Sequence, residues 1–256
     1  MKKTTTLILV FAVVSALCFA QPIAEESKAQ KYVASTSWVA AIAELAGIDD
    51  VVTVAPANLK HPPEYEITAD DMANVVNAKL FMHAGYEKMM KTLGNAAQLD
   101  SNRIVKVKTT NILENISNMV DMLSQKAGTQ EKAAERFGEF QELIEDARKR
   151  IAQSPNKDIE VYANVNQAEF ARDLRLNVVS TFGAGALTAA QIEEAHSKAY
   201  PLVIDNLHSP VASPITQVSP DSSIITWRNF PDHLGDDALY NVVRGNLEML
   251  WETGLF

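Results

Sequence analysis

"TQEKAAERFGEFQELIEDARKRIAQS" (Thr129 to Ser154) is the most regular stretch of the chain, and its reading decides the fold. Apolar residues recur at Ala133, Phe137, Phe140, Ile144, Ala147 and Ile151, in steps of four and three, which is one face of an α-helix. Glu131 near its start and Arg148, Lys149 and Arg150 near its end complement the helix dipole. At ~1.5 Å per residue such a helix is roughly 37 Å long. The same stripe fits a coiled coil, but it amounts to only about three heptads. The sequence on both sides reads as α/β. The stretch is therefore read as a rigid spine between two lobes.

On either side, short β-rich runs alternate with helical patterns. Before the spine stand "KYVAST" (31–36), "VVTVAP" (51–56), "KLFMHA" (79–84) and "IVKVKT" (104–109). After it stand "IEVYAN" (159–164), "NVVSTF" (177–182), "PLVID" (201–205) and "SIITW" (223–227). Between them lie helical segments such as "SWVAAIAELAG", with Gly47 as its C-terminal stop. Alternation of this kind predicts βαβ units and parallel sheets. The expected architecture is α/β: two Rossmann-like lobes, residues 31–128 and 158–256, bridged by the helix at 129–154, with a ligand cleft between the lobes.

The chain has 256 residues, 47% of them hydrophobic, enough to bury real cores at this length. Its formal net charge of −9, with no basic patch standing out, argues against a nucleic-acid partner. The N-terminus "MKKTTTLILVFAVVSALCFAQ" carries Lys2 and Lys3, an apolar run from Leu7, and small residues at Cys18 and Ala20. That is the pattern of a secretory signal peptide over residues 1–20, cleaved after Ala20. The run is short of the ~20 residues that span a bilayer. Export to a periplasmic or other extracytoplasmic space follows. Lipid attachment at Cys18 is the alternative, although Leu17 before it fits a bacterial lipobox poorly. Cleavage after Ala20 removes the chain's single cysteine, leaving no disulfide and no thiol chemistry.

In open parallel sheets, ligands bind beyond the C-terminal ends of the strands. Four of the five histidines fall at such ends: His61, His83, His208 and His233, but not His196. Ser35 to Ser37, Glu87, Asn111, Asn164, Thr181, Asp205, Arg228 and Asn229 join them. A lone loop histidine is more often a surface residue than a ligand; their collective placement on two lobes is what suggests a cleft. In "LKHPPEYEITADDM" (59–72), Thr68 caps a helix with Asp70 and Asp71 in its first turn, so both aspartates read as structural. Pro62 and Pro63 are expected to hold His61 in an extended approach to the cleft. Trp38, Trp227 and Trp251 read as packing, with Trp227 also expected to report on the cleft.

"VASTSWVAAIAELAG", "EYEITADDMANVVNAKLFMHAGYE", "RLNVVSTFGAGALTAAQIEEA" and "YNVVRGNLEMLWETGL" resemble the TroA-like solute-binding proteins of zinc and manganese ABC importers over nearly the whole chain after the leader. The resemblance implies two α/β lobes, one long bridging helix and a metal between the lobes. It also shows most of the family's usual metal ligands replaced. Pro63 occupies the place of the first histidine, with His61 two residues earlier. The second ligand position matches Asn111, the third Asn164, and the fourth falls near Arg228 or Asn229. The metal candidates are thus His61, Asn111, Asn164 and Asn229, with Asp205, His208, Arg228 and His233 as further cleft candidates. Asparagine offers a neutral oxygen, a poorer zinc ligand than imidazole.

The function expected from this is a non-enzymatic extracytoplasmic solute-binding protein, a monomer. It would take a divalent metal ion, of the zinc or manganese class, as its transported ligand and have an ABC-importer membrane permease as its partner. The alternative within the binding class is a receptor for a metal chelate or another small polar solute. From other classes, an exported α/β hydrolase lacks the G-x-S-x-G elbow, and a surface adhesin would need no cleft chemistry.

Overall fold

The structure, a computed structural model, describes residues 31–96, 100–235 and 237–256. The expected signal peptide, with Cys18 and Ala20, lies outside them. Every stretch expected as a strand contains one: β1 (Tyr32–Ala34), β2 (Val52–Thr53), β3 (Leu80–His83), β4 (Ile104–Lys106), β5 (Val161–Asn164), β6 (Val178–Phe182), β7 (Leu202–Asn206) and β8 (Ser223–Trp227). They form two four-stranded sheets ordered β2-β1-β3-β4 and β6-β5-β7-β8, the same order twice. Every pairing is parallel, with Val33 opposite Phe81 in the first sheet and Tyr162 opposite Val203 in the second. The helices are α1 (Ser37–Leu45), α2 (Ala69–Val76), α3 (Met89–Ala96), α4 (Leu113–Ala127), α5 (Gln130–Gln153), α6 (Val165–Asp173), α7 (Ala189–Lys198), α8 (Ile215–Val218) and α9 (Ala238–Glu252). None of the described helices is long and apolar enough to cross a membrane.

The spine is α5, running between the two sheets in sequence with Thr129 and Ser154 as its caps. Ala133, Phe140, Ile144, Ala147 and Ile151 are buried along it, and Phe137 is partly buried beside them. One hydrophobic core joins these residues to both sheets. Leu80 and Met82 of β3 enter it from one lobe, Val161 and Ala163 of β5 from the other. Strand alternation sends the intervening residues to the outer faces. Phe81 packs with Val33, Val75 and Leu93 in one outer cluster, and Tyr162 with Phe182, Tyr200 and Val203 in the other.

Helix α1 stops where the sequence says it should. Gly47 takes the left-handed conformation at φ +76. Its N–H donates to Glu44 O at 2.9 Å and the Ile48 N–H to Ala43 O at 3.1 Å, a Schellman ending. Helix α2 begins with the expected cap on Thr68. Thr68 Oγ1 accepts from the Asp71 N–H, and Asp71 Oδ2 accepts in return from the Thr68 N–H, completing a capping box. Asp71 also accepts from the Tyr65 hydroxyl at 2.9 Å, so its role is structural. The proline pair behaves differently from expectation. Pro62–Glu64 form a single 3-10 turn rather than an extended lead-in, closed by the Glu64 N–H on His61 O. The fixed φ of proline suits the first turn of a helix as well as an extended segment. His61, preceding Pro62, stays outside the helical region at φ −128, ψ 68.

Candidate interlobe binding cleft

Because all strands are parallel and the two sheets meet across α1, α4, α5 and α9, the C-terminal ends of both sheets look onto common ground. A cleft of about 550 Å³ opens there, and the segment after each of the eight strands contributes to its wall. Trp38, His61, Tyr86 and Asn111 come from the first lobe; Asn166, Ala184, His208 and Phe230 come from the second.

Two imidazoles face this cleft from opposite lobes. His61 is exposed on its rim. His208 lies flat on Phe230, ring centroids 3.7 Å apart and planes 12° from parallel. Its Nε2 is buried without a hydrogen-bond partner among the described residues. Burial lowers the His208 pKa to about 4, helped by the positive charges of Arg228 and of His61 when protonated, and opposed by Asp232. The ring is therefore neutral at neutral pH, with a lone pair available. Phe230 in turn stacks on Trp38, centroids 5.6 Å apart, so an aromatic column runs from α1 to His208 across the lobes.

The expected site residues divide sharply. Asn111 lines the cleft, but its Oδ1 accepts from Trp38 Nε1 at 2.8 Å and its Nδ2 donates to Asn229 O at 2.7 Å. Asn229 also lines it, with Oδ1 accepting from Gln167 Nε2 at 2.7 Å and Nδ2 donating to Asn166 O. Asn164 is fully buried away from the cleft. Its Oδ1 caps α6 through the Asn166 N–H, and its Nδ2 donates to Asp205. Each amide oxygen already accepts one hydrogen bond, which leaves it at most one lone pair for an ion. Asp205 is buried as well and accepts four bonds, from Asn164, Asn206, Val211 and Ala212. It pins the loop that carries His208. Among the described residues, no three His, Cys, Asp or Glu side chains converge as a closed metal cage requires.

The remaining candidates sit beside the cleft. The Arg228 guanidinium pairs with Asp232 at 2.7 Å, and its backbone N–H and C=O bond to the Asn246 side chain. His233 is exposed, with Nδ1 2.9 Å from Asp232 Oδ1. Hydrogen bonds from His233 and Arg228 hold the Asp232 carboxyl at about 2. Glu87, beyond β3, is also structural. It takes a hydrogen bond from the Ser35 hydroxyl, from the Ala84 N–H at 2.7 Å and from the Gly85 N–H at 2.6 Å.

The segment from Asn229 to Gly235 ties the lobes together. Asn229 O accepts from Asn111, Pro231 O accepts from the Ser37 hydroxyl at 2.7 Å, and the Gly235 N–H donates to Glu44 Oε1 at 3.2 Å. Sequence reasoning missed Phe230 and took Trp38 for packing. It also expected Trp227 to report on the cleft, whereas Trp227 is wholly buried in the shared core. An aromatic residue just beyond a strand end was the available signal, since Trp38 follows the Ser35–Ser37 run already singled out.

No family model matches the chain, and no curated protein matches it by sequence. Solved structures do. A Mn-bound periplasmic metal-binding protein from Candidatus Liberibacter asiaticus superposes with a TM-score of 0.63 at 16% identity, over 89% of this chain and 100% of that one. The solute-binding protein FpvC of P. aeruginosa, in complex with Ni2+, gives 0.69 at 12% identity, over 88% and 96%. The laminin-binding protein Lmb of Streptococcus agalactiae, described as a bifunctional protein with adhesin and metal-transporting activity, gives 0.65 at 14%, over 89% and 100%. The chain thus has the two-lobed α/β fold of these proteins over 88–89% of its length.

Proposed function

We propose that this chain is an extracytoplasmic solute-binding protein that captures a divalent metal ion in the interlobe cleft and presents it to the permease of an ABC importer. The observation that carries the reading is the pair of imidazoles, His61 and His208, facing one cleft from opposite lobes in a fold shared with metal-binding proteins of this kind. Histidine is the commonest protein ligand for transition metals. The His208 ring lines the cleft and is held in a fixed orientation by its stack on Phe230. The leader-like sequence at residues 1–20 supports the location. Asn111, Asn164 and Asn229 position the walls, and Asp205 the His208 loop; Arg228 and His233 stay outside the coordination sphere. The reading assigns no catalytic role to the cleft.

Calorimetric titration of the metal-stripped protein with Zn2+ and Mn2+ tests this. His61→Ala and His208→Ala are each expected to weaken binding by about tenfold or more, as loss of one of two protein ligands demands. Unchanged affinity in both variants would remove the pair from the site.

A further inference from the structure

We propose that the ion enters the cleft as a chelate, held by His61 and His208 from opposite lobes, with a small amino-carboxylate chelator completing its coordination sphere. The inference rests on the metal-capture reading and names its substrate class. Three observations lead to it.

The first is a deficit of ligands. Transition-metal sites of this kind offer three or four protein donors, and no third histidine, cysteine or carboxylate joins the two imidazoles among the described residues. The side-chain oxygens of Asn111 and Asn229, which also line the cleft, each already accept one hydrogen bond and are neutral donors. The second is space. A cleft of about 550 Å³ is in the range of small-molecule sites and far exceeds a bare ion, given that one liquid water occupies roughly 30 Å³.

The third is the chemistry of the groups left over. Lys60 on the first lobe and Glu169 on the second both line the cleft, are exposed, and have no ion-pair or hydrogen-bond partner among the described residues. The Thr110 hydroxyl and the Asn166 side-chain amide line the same cleft, likewise without partners among the described residues. A lysine cannot serve a bare cation and repels it. It does suit the carboxylate of a bound chelator, as Glu169 suits the N–H groups of its metal-bound amine. Neutral hydroxyl and amide groups fit either. An amino-carboxylate, the chemistry of a free amino acid, presents both functions and closes a chelate ring on a metal through them.

The experiment uses Zn2+, L-histidine and citrate with the metal-stripped protein, read by native mass spectrometry and calorimetry. A free chelator strips metal from a simple two-imidazole site. If the cleft takes the chelate, adding L-histidine instead tightens zinc capture by roughly tenfold, and a one-to-one-to-one mass of protein, zinc and histidine is observed. Lys60→Ala then weakens capture of the zinc–histidine complex about fivefold. Citrate, which carries no amine, is expected to compete zinc away. Zinc binding that is weakened by both additives, with no ternary mass, overturns the chelate proposal and leaves metal capture standing. Absence of binding by zinc with or without additives overturns both.

Discussion

Among single residues, burial makes two histidines harder to protonate, and they do different things. His208 faces the cleft; His83 ends β3, stacked against Phe81 with ring centroids 5.7 Å apart and with Nδ1 buried and unpartnered. Burial lowers the His83 pKa below the ordinary 6.5, Glu87 opposing and Lys106 assisting. A histidine that is harder to protonate when folded makes the unfolded chain bind more protons at mildly acidic pH. Its contribution to stability is complete above about 6.5 and is lost as pH falls through the lowered folded value. The unfolding midpoint of the metal-free protein should therefore drop as pH goes from 7 toward 5. His83→Phe, which keeps a ring against Phe81, should flatten that slope in part. His208 supplies a slope of the same sign, so abolition is not expected; an unaltered slope would show that the His83 ring protonates freely in the folded state. Of the residue-scale picture, the presence of histidines beyond the strands was legible in the sequence. Which of them reach the cleft was not. Asn111 is fixed by a bond to Asn229, 118 positions away, and Asp205 by the loop it closes, and no local pattern encodes either contact.

Within individual elements the sequence is far more informative, because caps and periodicities are local. Helix α5 was legible to within a residue at each end, as were the Thr68 cap and the Gly47 stop. Two substitutions test whether these elements carry the weight assigned to them. Phe140 is completely buried in the face that joins the lobes. Phe140→Asp removes that packing and buries a charge, and it should cost more than about 4 kcal/mol. Denaturant unfolding that shows no loss would mean that the spine face is not a core. At Gly47 a Cβ would lie 2.9 Å from Lys132 Cβ and 3.0 Å from both Thr129 O and Ala133 N, with φ already positive. Gly47→Ala should cost about 2 kcal/mol or more, the left-handed strain adding to contact with the start of α5. A neutral result there would imply that the α1 ending and the spine are free to separate. The one local misreading, the Pro62–Pro63 pair, arose because a fixed φ is shared by two conformations, and only the Glu64 N–H bond to His61 O selects between them.

The two sheets repeat the same strand order, which invites a picture of two independent halves joined by a rod. The packing argues otherwise. The largest core takes in β3 and β4 from one lobe, β5, β7 and β8 from the other, and buried faces of α1, α4, α5, α6 and α9. Neither lobe can lose its inner face without exposing the other's. The Asn229–Gly235 segment adds three hydrogen bonds and the Trp38–Phe230 stack across the cleft, but these are few beside the shared core. The lobes should therefore unfold together. Scanning calorimetry of residues 31–256 should give one peak, its calorimetric enthalpy equal to the van't Hoff value and on the order of 150 kcal/mol near 60 °C, at about 0.7 kcal/mol per residue. Asn111→Ala, which releases one strap bond and leaves Trp38 Nε1 without its acceptor, should lower the midpoint while keeping that single peak. Two resolved transitions in the parent protein would mean that the core does not couple the lobes. A second transition appearing only in Asn111→Ala would instead locate the coupling in the strap. Either result would predict wide opening of the cleft on ligand release, where a shared core predicts small local movements around His61 and the His208 loop.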